Sequence, residues 1–122
     1  MKGVLVDTSV WVDHFRKQNN ALTDLLELDL VMAHPLVVGE IACRTPPHRI
    51  QTLTDLGSLQ QAQLASVREV MDFIERERLF GAGCGLIDLM LLASTLITPG
   101  TELWTLDKRL SGLADRFGVM HR

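Results

Sequence analysis

No stretch of this 122-residue chain is apolar for long enough to cross a bilayer. The best candidate, Leu86 to Ile97, is short and is interrupted by Asp88, Ser94 and Thr95, and the beginning of the chain lacks the extended apolar run of a signal peptide. A soluble, cytoplasmic protein with no membrane partner is expected. Cysteine is scarce. Cys43 and Cys84 have no further Cys or His at metal-ligand spacing, and one pair does not make a disulfide scaffold, so both are expected to be free, buried thiols. The histidines at 14, 34, 48 and 121 are isolated, with no helical pair of the zinc-protease kind, so no zinc site is proposed and surface or satisfied core roles are expected. There is no basic excess either. A net charge of −3 argues, taken alone, against a nucleic-acid partner. Internal repeats and low-complexity tracts are also missing.

What is present is apolar residue in quantity, 47% of the chain, enough to bury a core without cross-links; one domain over residues 1–122 is expected. Val4-Leu5-Val6 is a short continuous apolar run that stops at Asp7-Thr8-Ser9, where short polar side chains can cap a helix over Val10 to Arg16. Leu22, Leu25 and Leu26 share one helical face, and Val31-Met32-Ala33 reads as a second strand. Pro35 suits the first turn of a helix running toward Cys43, and a short helix from Arg49 to Leu56 is expected to close at Gly57. Ser66 and Glu69 have the spacing of a capping box for a helix whose core stripe would be Val67, Val70, Met71 and Ile74. After the flexible Gly81 to Gly85, Leu86 to Leu96 reads as a buried central helix; Leu103 to Leu106 as a third strand; Lys108 to Phe117 as a helix; and Val119-Met120 as a last edge strand. Short apolar strands alternating with helices predict a parallel sheet covered on both faces, with any ligand crevice beyond the carboxyl ends of its strands.

Four acids interrupt this apolar pattern: Asp7, Glu40, Asp88 and Asp107. An isolated carboxylate is costly to bury, so acids placed against a core usually share a partner, and a hard divalent cation with oxygen ligands is an economical one. Glu40 lies four residues after Leu36 and three after Val37, on the inward helical face. Asp88 falls in the first turn of its helix, where capping and chemistry are both open, and Asp7 and Asp107 can likewise simply end a strand and start a helix. Recurrence in four separate segments favours chemistry. Ser9 and Thr105 flank the proposed site as caps or as supports for its carboxylates. If the four acids are offset by bound metal, the remainder of the chain carries +1, which permits RNA binding; Lys2, Arg16, Lys17, Arg44, Arg49, Lys108, Arg109 and Arg122 are the candidate phosphate contacts. Gly81-Ala82-Gly83-Cys84-Gly85 lacks the Gly-Lys-Ser/Thr of a phosphate loop and is expected to make a tight turn, although its glycines could let backbone approach a phosphate. Trp11 and Trp104 are expected in the core rather than as base-stacking platforms.

Val6-Asp7-Thr8-Ser9-Val10-Trp11, His34-Pro35 to Val38-Gly39-Glu40-Ile41, Gly85-Leu86-Ile87-Asp88 to Leu92-Ala93-Ser94, and Leu103 to Leu110 together resemble a PIN-domain ribonuclease of the VapC toxin type. Each motif is weak alone, but their order and spacing over nearly the whole chain are specific. The resemblance implies a three-layer α/β/α sandwich with a central parallel sheet and a Mg²⁺- or Mn²⁺-dependent endoribonuclease that leaves a 5′-phosphate and a 3′-hydroxyl. It further implies an RNA substrate such as tRNA or rRNA, a homodimer and a cognate antitoxin. By motif it assigns Asp7, Glu40, Asp88 and Asp107 to metal binding and catalysis, with Ser9 and Thr105 in support. Many PIN domains carry another acid two residues after the last of these, where this chain has Arg109, and that leaves open whether one metal ion or two is bound. The rival readings are a phospho-accepting receiver domain, which needs an acidic pair near the end of the first strand, and a non-catalytic PIN-fold RNA-binding module.

Overall fold

The computed structural model describes residues 3–122. Its centre is an all-parallel sheet of β1 (Gly3–Val6), β2 (Val31–Ala33), β3 (Gln60–Gln61) and β4 (Thr101–Trp104) in the order β3-β2-β1-β4. Every residue of β1 and β2 is buried. That is why their sequences are continuously apolar instead of alternating: a strand covered on both faces has no side to give to water. Register is set by Val4 opposite Val31 on one side of β1 and by Gly3 to Val6 opposite Thr101 to Trp104 on the other.

Chain order and handedness then distribute the helices. α1 (Thr8–Arg16), α2 (Asn20–Glu27), α3 (Pro35–Ala42) and α4 (Arg49–Gly57) belong to the crossovers that lead outward from β1 through β2 to β3. α5 (Val67–Glu77) and α6 (Leu86–Ile97) return the chain past β1 to β4, and α7 (Lys108–Arg116) follows. Right-handed crossovers running in opposite directions put the two groups on opposite faces, giving the α/β/α sandwich. The contacts agree, since α1 and α4 pack on α3 while α5 and α7 pack on α6. Leu5, Val6, Val10, Leu22, Ile41, Leu91, Leu92, Leu103 and Leu110 form the fully buried centre.

Several expectations shift. β3 is polar and exposed, and no apolar run announces it. β4 ends at Trp104, so Thr105 and Leu106 form a short link before α7, and the last strand shrinks to a parallel bridge from Leu103 to Met120. Gly57 is still helical, with Ser58 as the cap. On α5 the capping box of Ser66 and Glu69 is present, but the buried face is Val70 and Phe73, while Val67 and Met71 are exposed. Neither thiol is fully buried: both are free, Cys43 exposed and Cys84 half-buried.

The sheet order contains a switch point. From β1 the chain first moves toward β2 and later returns to pair β4 on the opposite side, so the crevice beyond the carboxyl ends of β1 and β4 is flanked by both helical layers.

Candidate active site

The residues after β1 and β4 are laced together at that crevice. Asp7 is at the N-cap position of α1, yet its side chain makes no capping bond; Oδ2 instead accepts from the hydroxyls of Ser9 and Thr105, each at 2.7 Å. Ser9 Oγ in turn accepts the Leu106 N–H at 3.0 Å, and Thr105 Oγ1 accepts that of Asp107 at 3.1 Å. Two small hydroxyls thus satisfy one carboxylate oxygen and two loop amides at once. Asp7 and Thr105 are both buried, so those bonds form where water competes poorly.

Glu40 approaches from α3, and its Oε1 accepts a 2.7 Å bond from Thr8. Thr8 makes a contact that its sequence hid: it reads as one more short polar residue at a helix start, and its bond to α3 depends on how α1 packs. Asp88, in the first turn of α6, accepts a long 3.4 Å bond from the Gly85 N–H through Oδ2. Asp107 does cap α7, Oδ1 taking the N–H groups of Arg109 and Leu110.

The structure therefore brings all four predicted acids to one edge from four elements. Burial raises the carboxyl of Asp88 above its ordinary range; the Gly85 N–H opposes this, and the charges of Asp7, Asp107 and Glu40 push it further up. The nearby thiol of Cys84 is raised by its own burial and by Asp88 and Asp107, against a lowering by Arg109, which keeps it protonated and unsuited to act as a nucleophile.

Convergence is looser than the sequence suggested. Among the described residues, no three His, Cys, Asp or Glu side chains stand where they could hold a metal ion as they are. The donor chemistry nonetheless suits a hard cation. None of the four acids pairs with a described Lys, Arg or His. Each commits one oxygen to a local bond, leaving Asp7 Oδ1, Glu40 Oε2, Asp88 Oδ1 and Asp107 Oδ2 without a hydrogen-bond donor among the described residues.

The other candidates separate. Arg16 and Arg44 line a cleft of about 250 Å³ between α1 and the end of α3, Arg49 donates to the Arg44 carbonyl, and Arg122 pairs with Asp115. Lys2 lies outside the described residues. His34 is a satisfied core residue, bonded to Ser94 and to the Leu36 N–H. Trp11 is buried as expected, whereas Trp104 is half-buried beside His121.

No protein-family model matches the chain. It is similar to the curated protein Ribonuclease VapC32 of Mycobacterium tuberculosis strain CDC 1551 / Oshkosh, with 40% identity over 116 residues, which is 95% of this chain and 94% of the relative. The protein of the same name from Mycobacterium tuberculosis strain ATCC 25618 / H37Rv matches to the same extent.

Proposed function

The chain belongs to the VapC family of PIN-domain ribonucleases, and from that premise we propose that Asp7, Glu40, Asp88 and Asp107 are the active site of an endoribonuclease that acts as the toxin of a toxin–antitoxin pair. One observation carries the assignment: the charges of Asp7, Glu40 and Asp107 all reach Asp88, none of the four carboxylates forms an ion pair with a described Lys, Arg or His, and each keeps an oxygen free. A phosphodiester brings further negative charge to such a site, and it is repelled unless positive charge intervenes. The four acids would hold a divalent cation, Mg²⁺ or Mn²⁺, and the cluster must tighten by side-chain movement to do so. When bound, the cation supplies charge against the phosphate oxygens and makes water more acidic. The chain's own contribution is positional. Ser9 and Thr105 hold Asp7, Thr8 holds Glu40, and the carboxylates orient rather than attack.

The substrate we propose is single-stranded RNA, including exposed loops of tRNA or rRNA, where backbone and bases are open to a protein. The partners are a cognate antitoxin protein and a second copy of the chain. The apolar exposure of Leu64, Val67, Met71, Leu96 and Ile97 supports a homodimer. We read residues 1–122 as one PIN-like domain working in the cytoplasm; no helix among the described residues is long and apolar enough to cross a membrane. The receiver alternative fails at β1, which is followed by the single acid Asp7 and then by Thr8 and Ser9.

Incubating the purified chain with labelled single-stranded RNA tests the assignment. Cleavage is expected with Mg²⁺ or Mn²⁺, and it is expected to disappear with EDTA or in Asp7→Asn while the circular dichroism spectrum is retained. Full metal-dependent activity in Asp7→Asn would overturn the site, and a folded wild type that binds RNA without cutting it would return the chain to the binding-module reading.

A further inference from the structure

The Gly81–Gly85 connection and Arg109 meet beside the acids. Gly83 has φ +84°, a left-handed conformation, and a Cβ placed there would lie 2.6 Å from Arg109 Cδ and 2.9 Å from its Nε and Nη1. The conformation demands glycine, and a larger residue there would push the arginine side chain aside. The stem and guanidinium of Arg109 are thus seated directly on the loop backbone. Two residues further along that loop, the Gly85 N–H is held by Asp88, while the N–H of Arg109 itself is held by Asp107. The guanidinium therefore lies on the glycine loop near Cys84, whose thiol pKa it lowers, with the starts of α6 and α7 and their acids adjacent.

An arginine placed there has an obvious alternative use, which is to pair with one of those carboxylates. It does not. Arg109 takes part in none of the ion pairs among the described residues, and its side chain donates no hydrogen bond to any of them. Its seat on Gly83 holds the donors of the fork away from the acids and leaves them unspent. A guanidinium matches the two non-bridging oxygens of a phosphodiester with parallel charge-assisted bonds, a geometry that a point charge cannot reproduce.

We propose that Arg109, seated on Gly83, is a phosphate-binding residue of the active site that docks an RNA phosphodiester against the acid cluster. This rests on reading the four acids as the nuclease site. It adds a ligand contact made by the chain itself, and it gives the glycine loop a purpose: the loop shapes the arginine and does not itself cradle a phosphate.

The test measures binding separately from cleavage. A fluorescent single-stranded RNA oligonucleotide is titrated with the full chain in EDTA over a range of salt concentrations, using wild type, Arg109→Gln, Arg109→Lys and Gly83→Ala. Losing one phosphate contact is expected to flatten the dependence of log K on log salt by about 0.7 in Arg109→Gln. Affinity is expected to fall several-fold for unrelated sequences alike. Arg109→Lys keeps the charge without the fork and should recover only part of the affinity. Gly83→Ala leaves Arg109 present but unseats it, and should weaken binding as Arg109→Gln does. With Mg²⁺ or Mn²⁺ present, Arg109→Gln should raise KM more than it lowers kcat. An unchanged affinity and salt slope in Arg109→Gln would overturn the proposal, as would full recovery by lysine or wild-type binding by Gly83→Ala. The outcomes are separable from the nuclease reading. Cleavage by a wild type whose Arg109→Gln variant binds normally sinks only the arginine's role, whereas an Arg109-dependent salt slope in a chain that never cuts RNA sinks the nuclease site.

Discussion

Thr105 shows how much of the site depends on groups that carry no charge. Its hydroxyl donates to Asp7 Oδ2 and accepts from the Asp107 N–H, so a single oxygen fixes two of the acids relative to each other. Thr105→Val keeps the shape and removes both bonds. A buried carboxylate oxygen then retains only Ser9, and the loop amide of Asp107 loses its partner. Leaving buried polar groups unpaired costs about 1–3 kcal/mol, so urea unfolding of Thr105→Val should show a stability loss of that order with an unchanged m-value. Cleavage should fall further than stability explains, because Asp7 is no longer held in one place. Ser9→Ala is expected to do less harm, since Ser9 is only partly buried and water can reach the amide it leaves behind. If Thr105→Val is as stable as wild type, the hydroxyl bridge contributes nothing and Asp7 is positioned by its backbone alone.

Helix α3, which carries Glu40, begins on a buried histidine. His34 Nδ1 accepts the Leu36 N–H, so in the neutral ring the proton sits on Nε2, facing Ser94 Oγ, which also receives the Ala65 N–H. Burial holds the His34 pKa below its ordinary value. The unfolded chain therefore takes up a proton first as pH falls through about 6.5, and the stability associated with the neutral ring, intact above that value, is lost toward the lower folded pKa. Urea midpoints should thus drop between pH 7 and pH 5 in wild type and drop less in His34→Asn, which can still cap the helix. Asp88, raised in the folded state, works in the opposite direction over its own range, so the difference between the two proteins isolates the histidine. Parallel midpoints would remove His34 from the account.

The same elements show what could be read in advance. Pro35 at a helix start, the Ser66–Glu69 box and the continuous apolar runs of β1 and β2 were legible because each is a local rule written in adjacent residues. The four acids stood out as candidates for the same reason, because carboxylates in apolar company violate such a rule. β3 was not legible: Gln60 and Gln61 take strand geometry only because β2 offers them a free edge. Val67 and Met71 have helical spacing on a core face, but the helix settles on Val70 and Phe73. Thr8 bonded to Glu40 and Gly83 under Arg109 are meetings between distant segments, and no local pattern encodes them.

Across the fold, the acids are a load as much as a tool. They enter from the end of β1, from both helical layers and from the link after β4. Asp88 is burdened first by its own burial and then by the charges of Asp7, Asp107 and Glu40. Its folded pKa lies above the unfolded value, so holding it ionised at neutral pH subtracts from stability, and the penalty fades as pH falls toward the unfolded value. Replacing that charge with a neutral amide should raise the melting temperature of the metal-free protein even as it removes activity, the familiar opposition between a working site and a relaxed one. A divalent cation held by the acids should relieve that penalty while tying four segments together. At a free concentration of one hundred times its Kd, a ligand specific for the folded state adds about 2.7 kcal/mol. Thermal melts with Mg²⁺ or Mn²⁺ should accordingly rise with concentration in wild type, and rise much less in Asp88→Asn, which starts higher. A metal-independent wild-type melt would mean that the acids share no ion, and an Asp88→Asn variant less stable than wild type without metal would mean that the charge on Asp88 is no burden to the fold.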